Sequence, residues 1–330
     1  MTTSLFIHLK PYKLAAYPNN SVASSIVESL EKSFMKHLQI SNFLNLRPSL
    51  HNVGFVPTMG ALHQGHLNLV KACIKECKTC VVSIFVNPTQ FAEHEDLSTY
   101  PRDIESDIAK LCKLDHEKII LITPTVEIMY PNGIKNGTFI NIPKGNLYEG
   151  SIRPHFFTGV CTVVCKLFNL VRPDIAYFGQ KDIQQASIIS QMTQDLLLSV
   201  KVKVVPTARE SDGLAMSSRN VYLDENQRKE AIGLHNLLLT IKNNLKTFDN
   251  PKVAISKATQ AFQVDFPQFG IQYADVVHAF SLSPFSEKFE IEQIYEPFEL
   301  DDNIISIVAA IKITESLRLL DNIVFRKISK

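Results

Sequence analysis

The residues best suited to chemistry are two histidines, His63 and His66, in the segment Pro57–His66, which reads PTMGALHQGH. Glycine is scarce, with 12 in 330 residues, yet Gly60 and Gly65 both lie in this segment. An apolar strand is predicted before the segment and a helix after it, and a helix N-terminus favours bound anions. Two imidazoles aimed at a triphosphate could stabilise the charge that develops on its α-phosphate. The segment matches neither a P-loop nor a G-x-G-x-x-G motif, and the alternative is structural, with one histidine capping the helix and the other on the surface.

A second polar cluster follows another predicted strand, at Phe178–Asp182, with Gln184 and Gln185 just beyond it. Lys181 is a flexible cation that can reach phosphates, and Asp182 can orient it or hold magnesium. A solvated helix start is the alternative, but it explains less well why a glycine, a lysine and paired amides gather here.

Two loops carry further polar side chains. The loop Met216–Asn220 (MSSRN) offers serine hydroxyls and an arginine, which suit phosphate binding as a lid closes. In Phe85–Phe91 (FVNPTQF), Asn87 and Gln90 follow the end of a predicted strand. Amides at this position could bind the hydroxyl and carboxylate groups of a small polar substrate. Each loop taken alone could be an ordinary turn.

Strands that end side by side are needed to bring these clusters together, and the apolar pattern predicts such strands. Short apolar runs alternate with helical segments and are continuous, which indicates a parallel sheet covered on both faces. Strands are predicted at 52–56, 80–86, 118–123, 174–179 and 200–206, and helices at 65–78, 102–114, 159–171 and 181–196. The predicted fold class is α/β, a Rossmann-like doubly wound parallel sheet in which ligands bind where the strand-to-helix turns line up.

The pattern changes after residue 206. Two helical stretches, 224–245 and 252–266, precede the apolar runs 271–280 and 305–314, which predicts a smaller α+β C-terminal domain. We therefore divide the chain into a ligand-binding domain, 1–210, and a lid domain, 211–330. Residues 1–50 are partly an extension, with one amphipathic helix predicted at 21–38, and an acidic loop spans 287–302.

Composition narrows the possible partners. The net charge of +1 gives no reason to expect a nucleic acid, and no apolar run approaches the roughly 20 residues that span a bilayer. Secretory and transit signals are not recognised at the N-terminus, so the predicted location is the cytoplasm.

The series Cys73, Cys77 and Cys80 lies in a helix that runs into a strand, whereas a metal cluster needs a loop. All six cysteines are interpreted as small buried or partly buried side chains in a reducing compartment, and no protein metal site is predicted.

Together these segments resemble the pantothenate synthetase (pantoate–β-alanine ligase) family. PTMGALHQGH, FVNPTQF…DLSTYPR, GVCTVVCKLFNLVRPDIAYFGQKDIQQ and DGLAMSSRN match the family's motifs in order, and RLLDN at Arg318–Asn322 fits as well. The resemblance is strong over residues 50–225 and weaker elsewhere. It implies that pantoate attacks the α-phosphate of Mg-ATP to give pantoyl adenylate and pyrophosphate. β-Alanine then displaces AMP to form pantothenate.

The resemblance also implies the site residues. His66, His63 and Lys181 are expected to be catalytic, with His66 at the family's catalytic histidine. Pantoate and β-alanine are expected to contact Gln90, Gln185 and Asn87. ATP is expected to contact Met59, Gly60, Ala61, Leu62, His63, Gln64, Gly65, His66, Gly179, Gln180, Lys181, Asp182, Ala208, Met216, Ser217, Ser218 and Arg219. ATP is a substrate rather than a tightly bound prosthetic group, and a homodimer built on the N-terminal domain is implied.

The chain departs from the family pattern at two places. Gln180 stands where an acidic residue is common, which indicates altered electrostatics. Phe156 stands where the family has histidine, and since His155 is shifted by one position it is left out of the site. Two other classes remain open: a nucleotidyltransferase of the same His-x-Gly-His superfamily that uses a phosphorylated acceptor, and a catalytically inactive nucleotide-binding or scaffold protein. The amide-rich set of Asn87, Gln90 and Gln185 argues against the first, and the intact histidine pair argues against the second.

Overall fold

The computed structural model describes residues 35–92, 95, 97–287, 290–314 and 317–328. Within them, six parallel strands form one sheet in the order β1-β4-β3-β2-β5-β6. The strands are β1 (Lys36–Leu38), β2 (Val53–Thr58), β3 (Thr79–Ile84), β4 (Ile119–Ile122), β5 (Ile175–Gly179) and β6 (Lys201–Val205). The helices of this unit are α1 (Ile40–Leu46), α2 (Gln64–Glu76), α3 (Ile104–Leu111), α4 (Val126–Met129), α5 (Glu149–Ile152), α6 (Phe156–Val171) and α7 (Ile183–Asp195). Short 3-10 turns lie at Arg47–Ser49, Pro88–Gln90, His116–Lys118, Ile134–Asn136, Pro143–Asn146 and Gln180–Asp182.

The strands β2, β3 and β4 are mostly apolar and buried because both faces of the sheet are covered. Phe55 packs into one hydrophobic core with Phe168 of α6 and Ile188 of α7. Its neighbour Val56 packs into a second core with Val70 of α2. Successive side chains of a strand point to opposite faces, so a strand between two helical layers reads as an unbroken apolar run. The predicted doubly wound α/β fold is confirmed.

The C-terminal unit has a four-stranded antiparallel sheet in the order β7-β9-β10-β8. Its strands are β7 (Gly270–His278), β8 (Glu290–Gln293), β9 (Ile304–Lys312) and β10 (Arg318–Ile328). Its helices are α8 (Glu225–Glu230), α9 (Ile232–Thr247) and α10 (Pro251–Asp265), after a 3-10 turn at Ser218–Tyr222. Buried side chains of α9 and α10 pack on this sheet in a third core. The smaller α+β unit predicted from the sequence is therefore present, and the predicted division at residue 210 falls between β6 and α8.

Three expectations about individual segments need correction. The helix predicted at 21–38 lies mostly outside the described residues, and its last part forms the strand β1, which pairs with β4. Residues 36–49 belong to the sheet and its core, since Phe43 of α1 is fully buried. The helix predicted at 224–245 is two helices, α8 and α9. The acidic loop 287–302 contains β8, and its Phe298 forms an antiparallel bridge with Val204 of β6.

The predicted burial or partial burial of the six cysteines is confirmed. Cys73, Cys77, Cys80 and Cys161 are buried, and Cys112 and Cys165 are partly buried, all with free thiols. Of the helices in the described ranges, none combines the length and apolarity needed to cross a membrane.

Candidate active site

The site lies where the winding of the parallel sheet reverses. Strand β2 pairs with both β3 and β5, and from it the chain builds β3 and β4 on one side and then β5 and β6 on the other. Ligands bind outside the carboxyl ends of the strands at such a switch point. The end of β2 leads to His63 and the end of β5 leads to Lys181, so the topology brings the first two predicted clusters together.

The turn after β2 is shaped by bonds that the sequence analysis did not identify. Gly60 has φ +85°, a left-handed conformation that strains other side chains, and a Cβ there would lie 3.2 Å from Asp107 Oδ2. The Leu62 N–H donates to Asp107 Oδ1 at 2.7 Å, and the Gly60 N–H donates to Thr58 Oγ1 at 3.2 Å. These amide groups are therefore occupied within the protein, and the turn positions the following histidines rather than presenting these N–H groups to an anion.

The two histidines cap helix α2 together. The Gly65 N–H donates to His63 Nδ1 at 3.1 Å, and the His63 N–H donates to His66 Nδ1 at 3.3 Å. The two rings lie 4.1 Å apart between centroids. Because each Nδ1 accepts a backbone hydrogen, a neutral ring must carry its proton on Nε2. The capping role and the chemical role are thus compatible: one nitrogen of each ring caps the helix and the other remains an N–H donor.

Both imidazoles are held in the neutral form. Burial, with the nearby charge of Lys181, lowers the pKa of His63 to about 4. Burial, with His63 and Lys181, lowers the pKa of His66 to about 3. At neutral pH the pair therefore offers uncharged hydrogen-bond donors, and Lys181 supplies a positive charge beside them.

The segment after β5 is held from the C-terminal unit. Asn322 of β10 donates through Nδ2 to the carbonyl oxygens of Gln180 and Lys181, each at 2.8 Å. The Gln180 side chain donates to Asn322 Oδ1 at 3.2 Å and is 5% exposed. The Gln180 side chain thus contacts the C-terminal unit and lines neither cavity, and its expected contact with ATP stays a prediction. Lys181 Nζ lies 3.6 Å from the carboxylate of its neighbour Asp182.

The serine-arginine loop reaches across to the first turn. Ser218 Oγ donates to the Ala61 carbonyl at 3.3 Å, and the Ser217 side chain accepts from the Arg219 N–H at 3.3 Å. The Arg219 guanidinium carbon lies 5.9 Å from the centre of the Tyr100 ring. The loop is thereby placed over the end of β2 and next to the loop that follows β3.

The two amides after β3 have different positions. Asn87 is fully buried; its Nδ2 donates to Gln90 Oε1 at 2.9 Å and to the Gly159 carbonyl at 3.2 Å. Its Oδ1 accepts from Tyr130 OH at 2.7 Å and from Thr89 Oγ1 at 3.1 Å. Both polar groups of Asn87 are thus used within the protein, and its Nδ2 orients Gln90, so its expected contact with substrate stays a prediction.

Two adjoining cavities, of about 230 and 1080 Å³, open over this edge of the sheet. The predicted residues that line the smaller one are Met59, His63, Gly65, His66, Gln90, Gly179, Lys181, Asp182, Gln185, Ala208, Met216, Ser217, Ser218 and Arg219. The predicted residues that line neither cavity are Gly60, Ala61, Leu62, Gln64, Asn87 and Gln180. Gln64 is exposed and donates to Asn68 at 2.7 Å. The larger cavity extends between the two units.

Other residues of the cavity wall were missed or left without a role. Thr207 lines the smaller cavity, and its hydroxyl is buried without a hydrogen-bond partner among the described residues. Phe156 lines both cavities and packs under the guanidinium of Arg153, whose central carbon lies 3.9 Å from the ring centre. His155 is exposed and lines neither cavity, in keeping with its omission from the site. The segment 153–159 stood out in the sequence as a departure from the family pattern, and that was the available signal for Arg153.

The fold is a doubly wound sheet with a cavity at its switch point. Neutral imidazole donors, a lysine and an arginine line this cavity, and this combination is typical of a nucleotide-binding enzyme of the Rossmann-like class. The model of the pantoate-beta-alanine ligase family matches residues 32–324, and the chain belongs to this family.

Individual relatives agree with this assignment. The chain is 41% identical over 279 residues to a pantothenate synthetase of Shewanella denitrificans, covering 84% of this chain and 92% of the relative. A pantothenate synthetase structure from Thermus thermophilus matches with TM-score 0.75 and 39% identity, over 87% of this chain and 98% of that one. The pantoate-beta-alanine ligase of Francisella tularensis, solved in complex with beta-gamma ATP and beta-alanine, matches with TM-score 0.62 and 33% identity, over 87% and 97% of the two chains.

Proposed function

We propose that this protein is an ATP-dependent ligase that condenses pantoate with β-alanine to give pantothenate, through a pantoyl adenylate. The observation that carries the proposal is the smaller cavity, whose wall combines two chemically different sets of side chains. The first set, which we call the phosphate end, has the imidazoles of His63 and His66 with Lys181 and Arg219, and the second, which we call the amide end, has the neutral amides of Gln90 and Gln185. The first suits a polyphosphate, and the second suits the hydroxyl and carboxylate groups of a small acid.

In the first step a carboxylate oxygen of pantoate attacks the α-phosphorus of ATP, and pyrophosphate leaves with the bonding electrons. Negative charge grows on the phosphate oxygens in this step. The Nε2–H groups of His63 and His66 donate to these oxygens, and Lys181 and Arg219 balance their charge. Donors already fixed before the reaction stabilise a transition state without reorganisation. The two histidines have this property, because their Nδ1 atoms are fixed by the bonds that cap α2.

In the second step the amine of β-alanine attacks the acyl carbon of the adenylate, and AMP leaves. We assign Gln90 and Gln185 to pantoate, with Gln90 also next to β-alanine. Magnesium enters with ATP as part of the substrate, and the carboxylate of Asp182 in the cavity wall suits it. The Ala208 backbone, with the unpartnered Thr207 hydroxyl beside it, is assigned to the nucleotide base.

The decisive experiment is isotope exchange. With pantoate present, labelled pyrophosphate is expected to enter ATP, and AMP release is expected to require β-alanine. Exchange that is absent with pantoate but present with a phosphorylated acceptor would favour the nucleotidyltransferase alternative. An absence of ATP binding by calorimetry would favour the scaffold.

We also propose a homodimer built on the N-terminal unit, working in the cytoplasm. Leu44, Ile128 and Phe139 of this unit are 41–48% exposed and could be covered by a second copy, and the six free thiols suit a reducing compartment. Sedimentation analysis should show a dimer that Ile128→Glu weakens. The matched control is Val264→Glu on the exposed face of α10, which should leave the dimer intact; a monomeric wild type would remove this part of the proposal.

A further inference from the structure

A series of four charged side chains crosses from the loop after β3 to the start of β10. Arg153 Nε donates to Glu95 Oε1 at 2.7 Å, and Arg153 Nη2 donates to Glu95 Oε2 at 2.5 Å. Arg318 donates to both oxygens of Glu149, at 2.6 and 2.5 Å. Arg153 Nη1 lies 3.7 Å from Glu149 Oε1 and joins the two pairs. We call this set Glu95–Arg153–Glu149–Arg318 the interdomain charge series.

The interdomain charge series is largely shielded from water. The exposed fractions of the four side chains are 20% for Glu95, 14% for Arg153, 7% for Glu149 and 22% for Arg318. Two-pronged arginine–carboxylate pairs are directional and strong, and removing one partner leaves a poorly solvated charge. Two arginines face two carboxylates, so the charges balance, and Arg153 is not a spare cation for phosphate. Its role must therefore differ from that of Lys181.

Arg153 also touches the segment that carries Gln90. Its Nη2 donates to the Gln90 carbonyl at 3.0 Å, and the central carbon of its guanidinium lies 3.9 Å from the centre of the Phe156 ring. The Gln90 side chain is oriented separately by Asn87. The backbone of Gln90 is thus fixed by Arg153, while Arg153 itself is held by one carboxylate on each side.

At its other end the series belongs to the C-terminal unit. Arg318 begins β10, and its Nε donates to Gln272 Oε1 on β7 at 2.7 Å, which fixes the guanidinium to that sheet. Glu149, at the start of α5, lies between the units, and its N–H donates to Gln184 Oε1 at 3.1 Å. A shift of the C-terminal unit would therefore move Arg318 relative to Glu149 and alter the support of Arg153.

We propose that Arg153 is a positioning residue that makes the placement of Gln90 depend on the seating of the C-terminal unit, through Glu149 and Arg318. The inference rests on the proposed function where it names pantoate as the ligand of Gln90. The competing explanation is a simple interdomain ion pair that stabilises the protein and affects all substrates equally.

The first test compares Arg318→Gln with Arg326→Gln, a control on the same strand in an exposed pair with Asp301. Arg318→Gln is expected to raise KM for pantoate at least about tenfold and KM for ATP less than about threefold. Arg326→Gln should change neither. Arg318→Lys keeps the charge but loses the two-pronged geometry, so partial rescue is expected, and this variant also serves if Arg318→Gln folds poorly. Equal increases in both KM values would overturn the proposal.

The second test requires no substrate. In the ligand-free protein, amide hydrogen exchange in residues 85–91 should rise at least about fivefold in Arg318→Gln relative to Arg326→Gln. Unchanged exchange in that segment would overturn the coupling even if pantoate is the substrate. Increased exchange in a protein that lacks pantoate-dependent activity would support the coupling and refute the proposed function instead.

A double-mutant cycle tests whether Glu95 and Arg318 are coupled through the residues between them. Glu95→Gln and Arg318→Gln remove the two ends of the series, which do not bond to each other. If Arg153 and Glu149 connect them, the combined effect on kcat/KM for pantoate should differ from the product of the single effects by at least about threefold. Simple multiplication of the two effects would mean that the ends act independently, contrary to the proposal.

Discussion

The two sets of side chains that line the smaller cavity, the phosphate end and the amide end, are held by different kinds of contact. At the phosphate end, the bonds that orient the histidines join residues two and three apart, His63 with Gly65 and His63 with His66. At the amide end, the short bond from Asn87 to Gln90 is supplemented by bonds that span 72 residues from Asn87 to Gly159 and 63 residues from Arg153 to Gln90. The caps of the two histidines are therefore specified by a short stretch of sequence, whereas the support of Gln90 also depends on the assembled tertiary structure.

The difference predicts which property, reaction rate, substrate binding or stability, a substitution at each end should reduce. A substitution at the phosphate end removes a donor whose support is local, so the rate should fall while the fold survives. A substitution at the amide end that removes a supporting residue leaves buried polar groups without partners, so binding and stability should fall together. The experiments below test this contrast, beginning with the largest expected effect.

The largest effect is expected for His66→Ala. It removes an Nε2–H donor from the developing charge, and we expect pantoate-dependent pyrophosphate exchange to fall at least about 10²-fold. His66→Gln keeps a side-chain N–H and should lose less. A urea unfolding curve with a nearly unchanged midpoint would show that the fold is intact. Near-normal turnover of the folded His66→Ala variant would remove this residue from the mechanism.

The next effect separates Gln90 from Asn87. Gln90→Ala should raise KM for pantoate about tenfold, since it removes a hydrogen bond to the ligand. It should lower the free energy of unfolding less than Asn87→Ala does, because it takes only one partner, the side-chain carbonyl oxygen of Gln90, from Asn87 Nδ2. Asn87→Ala leaves the Gly159 carbonyl and the Tyr130 hydroxyl without this partner, and each such loss costs about 1–3 kcal/mol. We therefore expect it to raise KM and also to lower stability. Denaturant unfolding measured beside steady-state kinetics would check both, and equal stability of the two variants would contradict the supporting role of Asn87.

A smaller effect is expected at Gly65. A Cβ there would lie 2.8 Å from Cε1 of His63, so Gly65→Ala must displace the ring and weaken its cap. The lost cap costs about 1 kcal/mol, but alanine in place of glycine stabilises a helix by a similar amount. Stability should thus change little, while pyrophosphate exchange falls about tenfold. Gln64→Ala, one residue earlier and exposed, is the control and should keep its rate within about twofold; equal rates in the two variants would show that ring placement is unimportant.

The same contrast explains what could be predicted from the sequence. The alternation of apolar runs and helices predicted the doubly wound sheet, and a short motif indicated His63 and His66, whose capping bonds are local. The motifs also indicated Lys181 and Gln90, but the distant residues Asn322 and Arg153 that hold them could not be predicted. The edge strand β1 was missed because it is three residues long. The burial of Asn87 and Gln180 could not be predicted, since their partners Gly159 and Asn322 are distant in the chain. Pairs such as Arg318 and Glu149, 169 residues apart, produce no local pattern.

The smallest effect near neutral pH is expected for the pH dependence of stability and of histidine protonation. This measurement tests only the histidines of the phosphate end. His63 has a pKa of about 4 and His66 of about 3 in the folded protein, below the ordinary 6.5. The unfolded chain therefore takes up these protons first as pH falls, and the stability contributed by the neutral pair is present above pH 6.5 and lost toward pH 4. In NMR titrations of the ligand-free protein, the two rings, assigned with His63→Gln and His66→Gln, should not titrate above about pH 5. Lys181→Ala removes a charge that lowers both pKa values, so both should rise, yet remain below 6.5 because burial is the larger cause. A midpoint near 6.5 for either ring in the wild type would mean that the pair is charged during part of the working range and is not the neutral donor set inferred here.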